Sequence, residues 1–182
     1  MRVIAGSAKG RRLGPVPRGV RPLSDRAREG LFASLGESVR GARVLDMFAG
    51  TGAIGIEALS RGASSATFVD AEPAATAAIK GNLARTGFEA DVLTSPVKRF
   101  LSREPAEPFE LVFADPPYDM DPAEVEAVLR SLASTHLSEG WTVCLTRPKR
   151  DHTDVVPIHW AVARRLSYGD SLVILYREEP WA

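Results

Sequence analysis

From Arg43 onward, five short apolar runs alternate with longer stretches of helical pattern: Arg43–Asp46, Ala66–Asp70, Ala90–Leu93, Glu110–Asp115 and Thr142–Thr146. No other feature constrains the fold as tightly. Strands in a nearly continuous apolar context need cover on both faces, which a parallel sheet wrapped by helices provides. The intervening segments read as those helices. Ala53–Arg61 stops at Gly62, while Pro73–Arg85 and Pro122–Ser134 each carry a proline in the first turn, where its missing N–H costs nothing. The stretch from Asp46 to Asp115 accommodates three compact strand–helix units, so their acidic ends can occupy neighbouring strand termini.

The two ends of the chain depart from this rhythm. Trp160–Tyr168 and Ser171–Arg177 are β-like runs joined by Gly169-Asp170, so the mostly parallel sheet should finish in an antiparallel hairpin. At the start, Arg2–Ala5 and Arg11–Leu13 flank Gly6-Ser7-Ala8-Lys9-Gly10 and predict a small β-ribbon. A Pro/Gly-rich connector follows from Gly14 to Pro22, and Ser24 or Asp25 then caps a helix whose buried stripe is Ala27, Leu31, Phe32 and Leu35. With 182 residues there is chain enough for one substantial core. We divide it into a basic ribbon and connector, residues 1–22, and a body, residues 23–182.

Several classes are disfavoured. No run approaches the roughly 20 apolar residues of a membrane span, and the N-terminus lacks the apolar core of a secretory signal, so a cytoplasmic protein is expected. Cys144 is the sole cysteine and lies in the alternating pattern Trp141–Thr146, which points to core packing rather than a nucleophile. His136, His152 and His159 share no i, i+4 pair and no cysteine companion, so no metal is expected. Trp141, Trp160 and Trp181 read as packing. The formal charge is zero, yet the first thirty residues hold eight lysines and arginines against Asp25 and Glu29, a basic end suited to a polyanion.

Two stretches carry chemistry. Asp46-Met47-Phe48-Ala49-Gly50-Thr51-Gly52-Ala53-Ile54-Gly55 follows the first strand and opens a helix, so a ligand can approach backbone N–H groups at a positive helix end. Its G-x-G-x-x-G spacing, with Asp70 downstream, permits a dinucleotide-binding reading. A carboxylate at Asp46 would face a pyrophosphate badly, but it suits a ligand bearing an ammonium and a sulfonium, as S-adenosylmethionine does. Asp70 is placed for a ribose diol in either cofactor, and Thr94-Ser95-Pro96-Val97 ends the strand nearest the expected adenine. The second stretch is Asp115-Pro116-Pro117-Tyr118. Pro116 keeps Asp115 extended, and Tyr118 sets a flat ring beside the carboxylate and carbonyl acceptors, a clamp for a planar amine such as a nucleobase.

Together these stretches resemble the class I S-adenosylmethionine-dependent methyltransferases that modify exocyclic amino groups of bases. Four further segments extend the likeness over essentially the whole chain: Arg2-Val3-Ile4-Ala5-Gly6, Gly10-Arg11-Arg12-Leu13, Arg21-Pro22-Leu23-Ser24-Asp25-Arg26-Ala27-Arg28-Glu29 and Gly55-Ile56-Glu57-Ala58-Leu59-Ser60-Arg61-Gly62. The chain looks like the RsmD family of bacterial 16S rRNA guanine-N2 methyltransferases. That resemblance implies an α/β, Rossmann-like fold with helices on both faces and a methyl acceptor in 16S rRNA, presented by the small ribosomal subunit or an assembly intermediate, to a monomeric enzyme. It implies that Asp46, Phe48, Ala49, Gly50, Thr51, Gly52, Asp70 and Ala71 hold the cofactor, with Ser95 or Val97 at the adenine and Arg26 closing over the methionine end. Asp115, Pro116, Pro117 and Tyr118 would hold the base, and Arg2, Lys9, Arg11, Arg12, Arg18 and Arg21 the RNA phosphates. Relatives often place Asn or Asp where this chain has Pro96, and Arg147-Pro148-Lys149-Arg150 looks more basic than expected. A DNA adenine-N6 or cytosine-N4 methyltransferase shares the clamp, a nicotinamide-dependent oxidoreductase the glycine loop. A non-catalytic RNA-binding module would be expected to lack one or the other.

Overall fold

The computed structural model describes residues 1–19, 22–149, 157 and 159–178; Arg21, Arg150, His152 and Trp181 lie outside them. The strands are β1 (Arg43–Met47), β2 (Ser65–Asp70), β3 (Asp91–Thr94), β4 (Phe109–Ala114), β5 (Leu137–Pro148), β6 (Trp160–Tyr168) and β7 (Ser171–Glu178). The helices are α1 (Asp25–Leu35), α2 (Ala53–Ser60), α3 (Pro73–Thr86), α4 (Val97–Leu101) and α5 (Pro122–Thr135). All strands join one sheet in the order β3-β2-β1-β4-β5-β7-β6. β1 to β5 pair in parallel, and β7 runs antiparallel to both β5 and β6, which is the expected terminal hairpin. The chain winds outward from β1 to β3 and then returns to β4 on the other side of β1. That reversal opens a crevice at the strands' carboxyl ends, where open α/β sheets bind ligands.

Successive residues of the central strands serve opposite cores. Val44, Phe68, Leu111 and Phe113 pack with Leu31, Phe32 and Leu35 of α1, Ile56 of α2 and Ile79 and Leu83 of α3. Leu45, Met47, Val69, Val112 and Val143 pack on the other face with Val97 and Leu101 of α4 and Val125, Val128, Leu129 and Leu132 of α5. Double-sided burial is why these strands read as continuous apolar runs. Ser24 caps α1 by accepting the Ala27 N–H at 3.2 Å. No helix among the described residues is long and apolar enough to cross a membrane.

Three local features differ from the sequence expectation. β5 begins at Leu137 rather than Thr142, because polar Ser138-Glu139-Gly140 sits in an irregular register between Phe109 and Leu111. The single-turn α4 and the 3₁₀ turn Gly36–Val39 are too short to show a helical period. The third difference is at the N-terminus, where the expected ribbon reduces to one bridge, Arg2 with Arg12, backed by Val3 N–H to the Arg11 carbonyl at 3.0 Å. Four further donors are engaged by α2. Ile4 and Ala5 N–H donate to the Glu57 carboxylate at 2.8 and 3.0 Å, Ser7 N–H to the Ser60 carbonyl at 2.8 Å, and Ala8 N–H to Ser60 Oγ at 3.0 Å. Gly6 makes this approach possible, since at φ +81° its Cβ would stand 1.7 Å from the Ser60 carbonyl oxygen. Val3, Ala8 and Leu13 are thereby buried in the same core as α1 to α3.

Glu57 is fully buried and also pairs with Arg61 Nε at 2.7 Å, so one carboxylate satisfies two backbone donors and a guanidinium. Replacing it by an amide weakens charge-assisted bonds and turns one end into a donor facing donors. Glu57→Gln should therefore lower the unfolding free energy by about 2 kcal/mol in urea titrations. It should also speed hydrogen exchange at Ile4 and Ala5 relative to β1.

Candidate active site

A cleft of about 940 Å³ opens where the sheet order reverses, lined by the glycine loop, the turn after β4, the start of α4 and the connector near Pro17 and Leu23. Its size lies within the range of ligand pockets. The loop after β1 turns through left-handed backbone at Phe48, Gly50 and Gly52, with φ of 57°, 56° and 71°. For a bulky residue such as Phe48 that conformation costs about 1–3 kcal/mol and persists only where its surroundings enforce it. The enforcing contacts are polar. Asp70 Oδ2 accepts Gly50 N–H at 2.8 Å, Asp46 Oδ2 accepts Gly55 N–H at 2.9 Å, and Asn82 Nδ2 donates to the Thr51 carbonyl at 2.9 Å. A Cβ on Gly55 would meet Phe68 Cε1 at 2.4 Å and Asp46 Oδ2 at 3.0 Å, so glycine there lets α2 close on β2 and reach the carboxylate.

Asp46, Asp70 and Asp115 thus line one cleft, as do Phe48, Ala49, Gly50, Thr51, Ala71, Val97 and the whole of Asp115–Tyr118. Burial holds the Asp46 carboxyl well above the usual carboxylate range; the Gly55 N–H opposes this, while Asp115 and Asp70 reinforce it. Loss of hydration likewise pushes Asp115 up to about 7 against a hydrogen bond from Thr146. Such a site gains from any ligand that brings positive charge. Tyr118 is anchored across the cleft mouth, its hydroxyl 2.6 Å from Ser171 Oγ at the start of β7.

Three expected cofactor residues stand off this cleft. Gly52 serves the backbone turn, donating to the Ala49 carbonyl at 2.7 Å. Ser95 donates its N–H to the Asp70 carbonyl at 2.9 Å, and Pro96, Val97 and Lys98 form the wall instead. Arg26 lines a separate, smaller cleft. The main cleft also includes Glu72, whose N–H donates to Asp70 Oδ1 at 2.9 Å, and Arg28, neither of which the sequence reading assigned to it. Arg28 is fully buried and donates to the Arg2 carbonyl at 2.9 Å and to Asp25 at 2.7 Å, while its Nε has no hydrogen-bond partner among the described residues. Its signal was positional, because it shares a helical stripe with Leu31, Phe32 and Leu35.

Arg2, Lys9, Arg11, Arg12 and Arg18 are exposed, and Arg18 reaches the cleft wall. Arg147 adds no basic surface: it is buried in β5 and donates to the Met120 carbonyl at 3.2 Å. Cys144 is buried with its thiol pushed far up by desolvation, and burial lowers His136. No cluster of three or more His, Cys, Asp or Glu suited to a metal occurs among the described residues.

The family described as Conserved hypothetical protein 95 matches residues 1–177. Ribosomal RNA small subunit methyltransferase D of Escherichia coli K12 is 34% identical over 98% of this chain and 90% of its own length. The Haemophilus influenzae protein of the same name is 31% identical over 97% and 92%. Among solved structures, the putative methyltransferase yhhF from Escherichia coli has a TM-score of 0.88 at 34% identity and covers 100% of this chain and 99% of its own. SMU.776, a putative methyltransferase complexed with SAH, shares the fold at 14% identity, with a TM-score of 0.73 over 86% and 50% of the two chains.

The displaced carboxylate has a thermodynamic signature. Asp115 ionises near 3.8 when unfolded and near 7 when folded, so between those values the folded state binds the extra proton. Its stabilising contribution is complete below pH 3.8 and is lost as pH rises through 7. The loss is at most on the order of 4 kcal/mol, less what cleft water screens. Urea unfolding of the ligand-free protein at pH 5 and pH 8 should show the part of this loss that falls above pH 5, at most on the order of 2–3 kcal/mol, on top of other titrations. Asp115→Asn should diminish the difference and raise stability at pH 8.

Proposed function

Because the chain belongs to the RsmD family, we propose that it transfers a methyl group from S-adenosylmethionine to the exocyclic 2-amino group of one guanine in 16S rRNA. One observation carries this reading: buried Asp46 and half-buried Asp115, both with raised carboxyls, converge with Asp70 under a glycine loop. Those residues fit the ligand. The Asp46 and Asp115 carboxylates favour its ammonium and sulfonium charges, Asp70 and Glu72 offer acceptors to a ribose diol, and Pro96, Val97 and Ala71 supply apolar walls for adenine. When bound, S-adenosylmethionine supplies an electrophilic methyl carbon.

The acceptor nitrogen is a poor nucleophile, since its lone pair is delocalised into the ring. Asp115 and the Pro116 carbonyl accept its two hydrogens and so orient the lone pair, and Tyr118 stacks on the extruded base. Fixing two reactants in line accounts for about 7–11 kcal/mol of barrier reduction. Asp115 accepts in its ionised form, which a positive charge bound beside it would favour. Orientation is its main task, because the acceptor nitrogen, cationic once methylated, is acidic enough to lose its proton to Asp115 or to water afterwards.

Residues 1–22 act as the RNA-docking part and 23–182 as the methyltransferase part, although both contribute to one core. Arg2, Lys9, Arg11, Arg12 and Arg18, with Arg21 beyond the described residues, would neutralise phosphates of 16S rRNA within the small subunit or an assembly intermediate. The enzyme would act as a monomer in the cytoplasm. A DNA amino methyltransferase would use the same clamp, but the relatives' names favour rRNA. A nicotinamide-dependent oxidoreductase is disfavoured by Asp46, which lies where a pyrophosphate would meet it.

Labelled methyl transfer onto unmethylated small subunits, free rRNA and duplex DNA, followed by nucleoside identification, tests the reading. N2-methylguanosine from rRNA is expected, and label in adenine or cytosine of DNA overturns it. The basic surface makes a separate prediction. If about five phosphates are contacted, log affinity for rRNA should fall with log salt at a slope of about −3.5 to −4.5. Replacing Arg2, Lys9, Arg11 and Arg12 by Gln should flatten that slope without unfolding the core, since these side chains are exposed.

A further inference from the structure

We infer that the smaller cleft beside the main one binds the nucleotide adjacent to the methylated guanine; this rests on the rRNA methyltransferase reading above. The cleft measures about 490 Å³ and lies between the start of α1, with Ser24 and Arg26, and the β6–β7 turn, with Ser167, Tyr168, Asp170 and Ser171. It is closely tied to the catalytic cleft in two ways. Pro22 lines both, and Ser171, which lines the smaller cleft, binds the hydroxyl of Tyr118, the ring assigned to the extruded base. A strand whose base enters the first cleft therefore leads its neighbouring nucleotide over Pro22 and Ser171 into the second.

The lining chemistry matches a ribonucleotide. Arg26 is exposed and forms no ion pair among the described residues, whereas Asp25 beside it is committed to Arg28 at 2.7 Å. An uncommitted guanidinium at a polar cleft is suited to a phosphate. Ser24 and Ser167 add hydroxyls. Asp170, on the opposite wall, repels a phosphate but accepts from a ribose 2′-hydroxyl, the group that distinguishes RNA from DNA. The two charges thus assign an orientation, phosphate toward α1 and sugar toward the hairpin. The back wall is tightly built: a Cβ on Gly30 would stand 1.7 Å from the Tyr168 hydroxyl oxygen, so glycine lets α1 close against that ring.

The test uses full-length Arg26→Ala and Arg26→Lys, with S-adenosylmethionine affinity measured by calorimetry and methyl transfer measured on unmethylated small subunits. Arg26→Ala should raise KM for the subunits about tenfold and lower the salt slope by about one. Its S-adenosylmethionine affinity should stay unchanged, and Arg26→Lys should recover part of the KM. Lost S-adenosylmethionine affinity with unchanged subunit KM would overturn the inference and return Arg26 to the methionine end. No change in either would overturn it as well. A wild-type chain that binds S-adenosylmethionine but methylates no subunit removes the rRNA reading and this inference with it, whereas a failure confined to the Arg26 variants removes this inference alone.

Discussion

The bond between the Asp46 carboxylate and the Gly55 N–H joins the end of β1 to the first turn of α2 at the place where the strand order reverses. Around it the glycine loop closes, Phe48 is held in left-handed backbone, and β4 brings Asp115 within electrostatic reach. Charge on a carboxyl so deeply buried is costly, because desolvation penalises it. The acceptors of the cleft are assembled by the fold itself, so binding energy need not be spent on gathering them.

A second set of polar contacts decides where the basic surface stands. Glu57 and Ser60 engage the N–H groups of Ile4, Ala5, Ser7 and Ala8, and Arg28 holds the Arg2 carbonyl from within the core. The N-terminal segment is therefore fixed against α2 by hydrogen bonds to side chains, with Val3, Ala8 and Leu13 as apolar anchors. Its exposed arginines acquire a set position relative to the cleft, which a mobile tail would lack. A polyanion attracted to that surface would be steered to the cleft.

Much of this was legible from residues alone. The β1, β2 and β4 runs, the glycine loop and the proline-stopped turn are local signals, since each depends on neighbours within a few positions. The hairpin at Gly169-Asp170 is of the same kind. Other features were hidden because their cause is distant. Arg28 looks like a solvent-facing arginine until Arg2 and Ala53 are seen to surround its guanidinium. Arg26, two positions away on the same helix, faces the other cleft, because a helix rotates about 100° per residue and these two side chains diverge. Gly52 and Ser95 carry ligand-binding signals in sequence, yet their backbone groups bond within the protein.

Short-range signals along the chain set the parallel strand–helix architecture, the acidic strand ends and the chemistry offered at Asp115–Tyr118, because periodicity and backbone restriction act over short spans. Long-range packing settles that Asp46, Asp70 and Asp115 share one cleft, that Arg28 rather than Arg26 lines it, and that Tyr118 is tethered to Ser171. Those outcomes depend on how far each group is removed from water and on which distant donor reaches it. Desolvation and long-range pairing exist only once the sheet has closed.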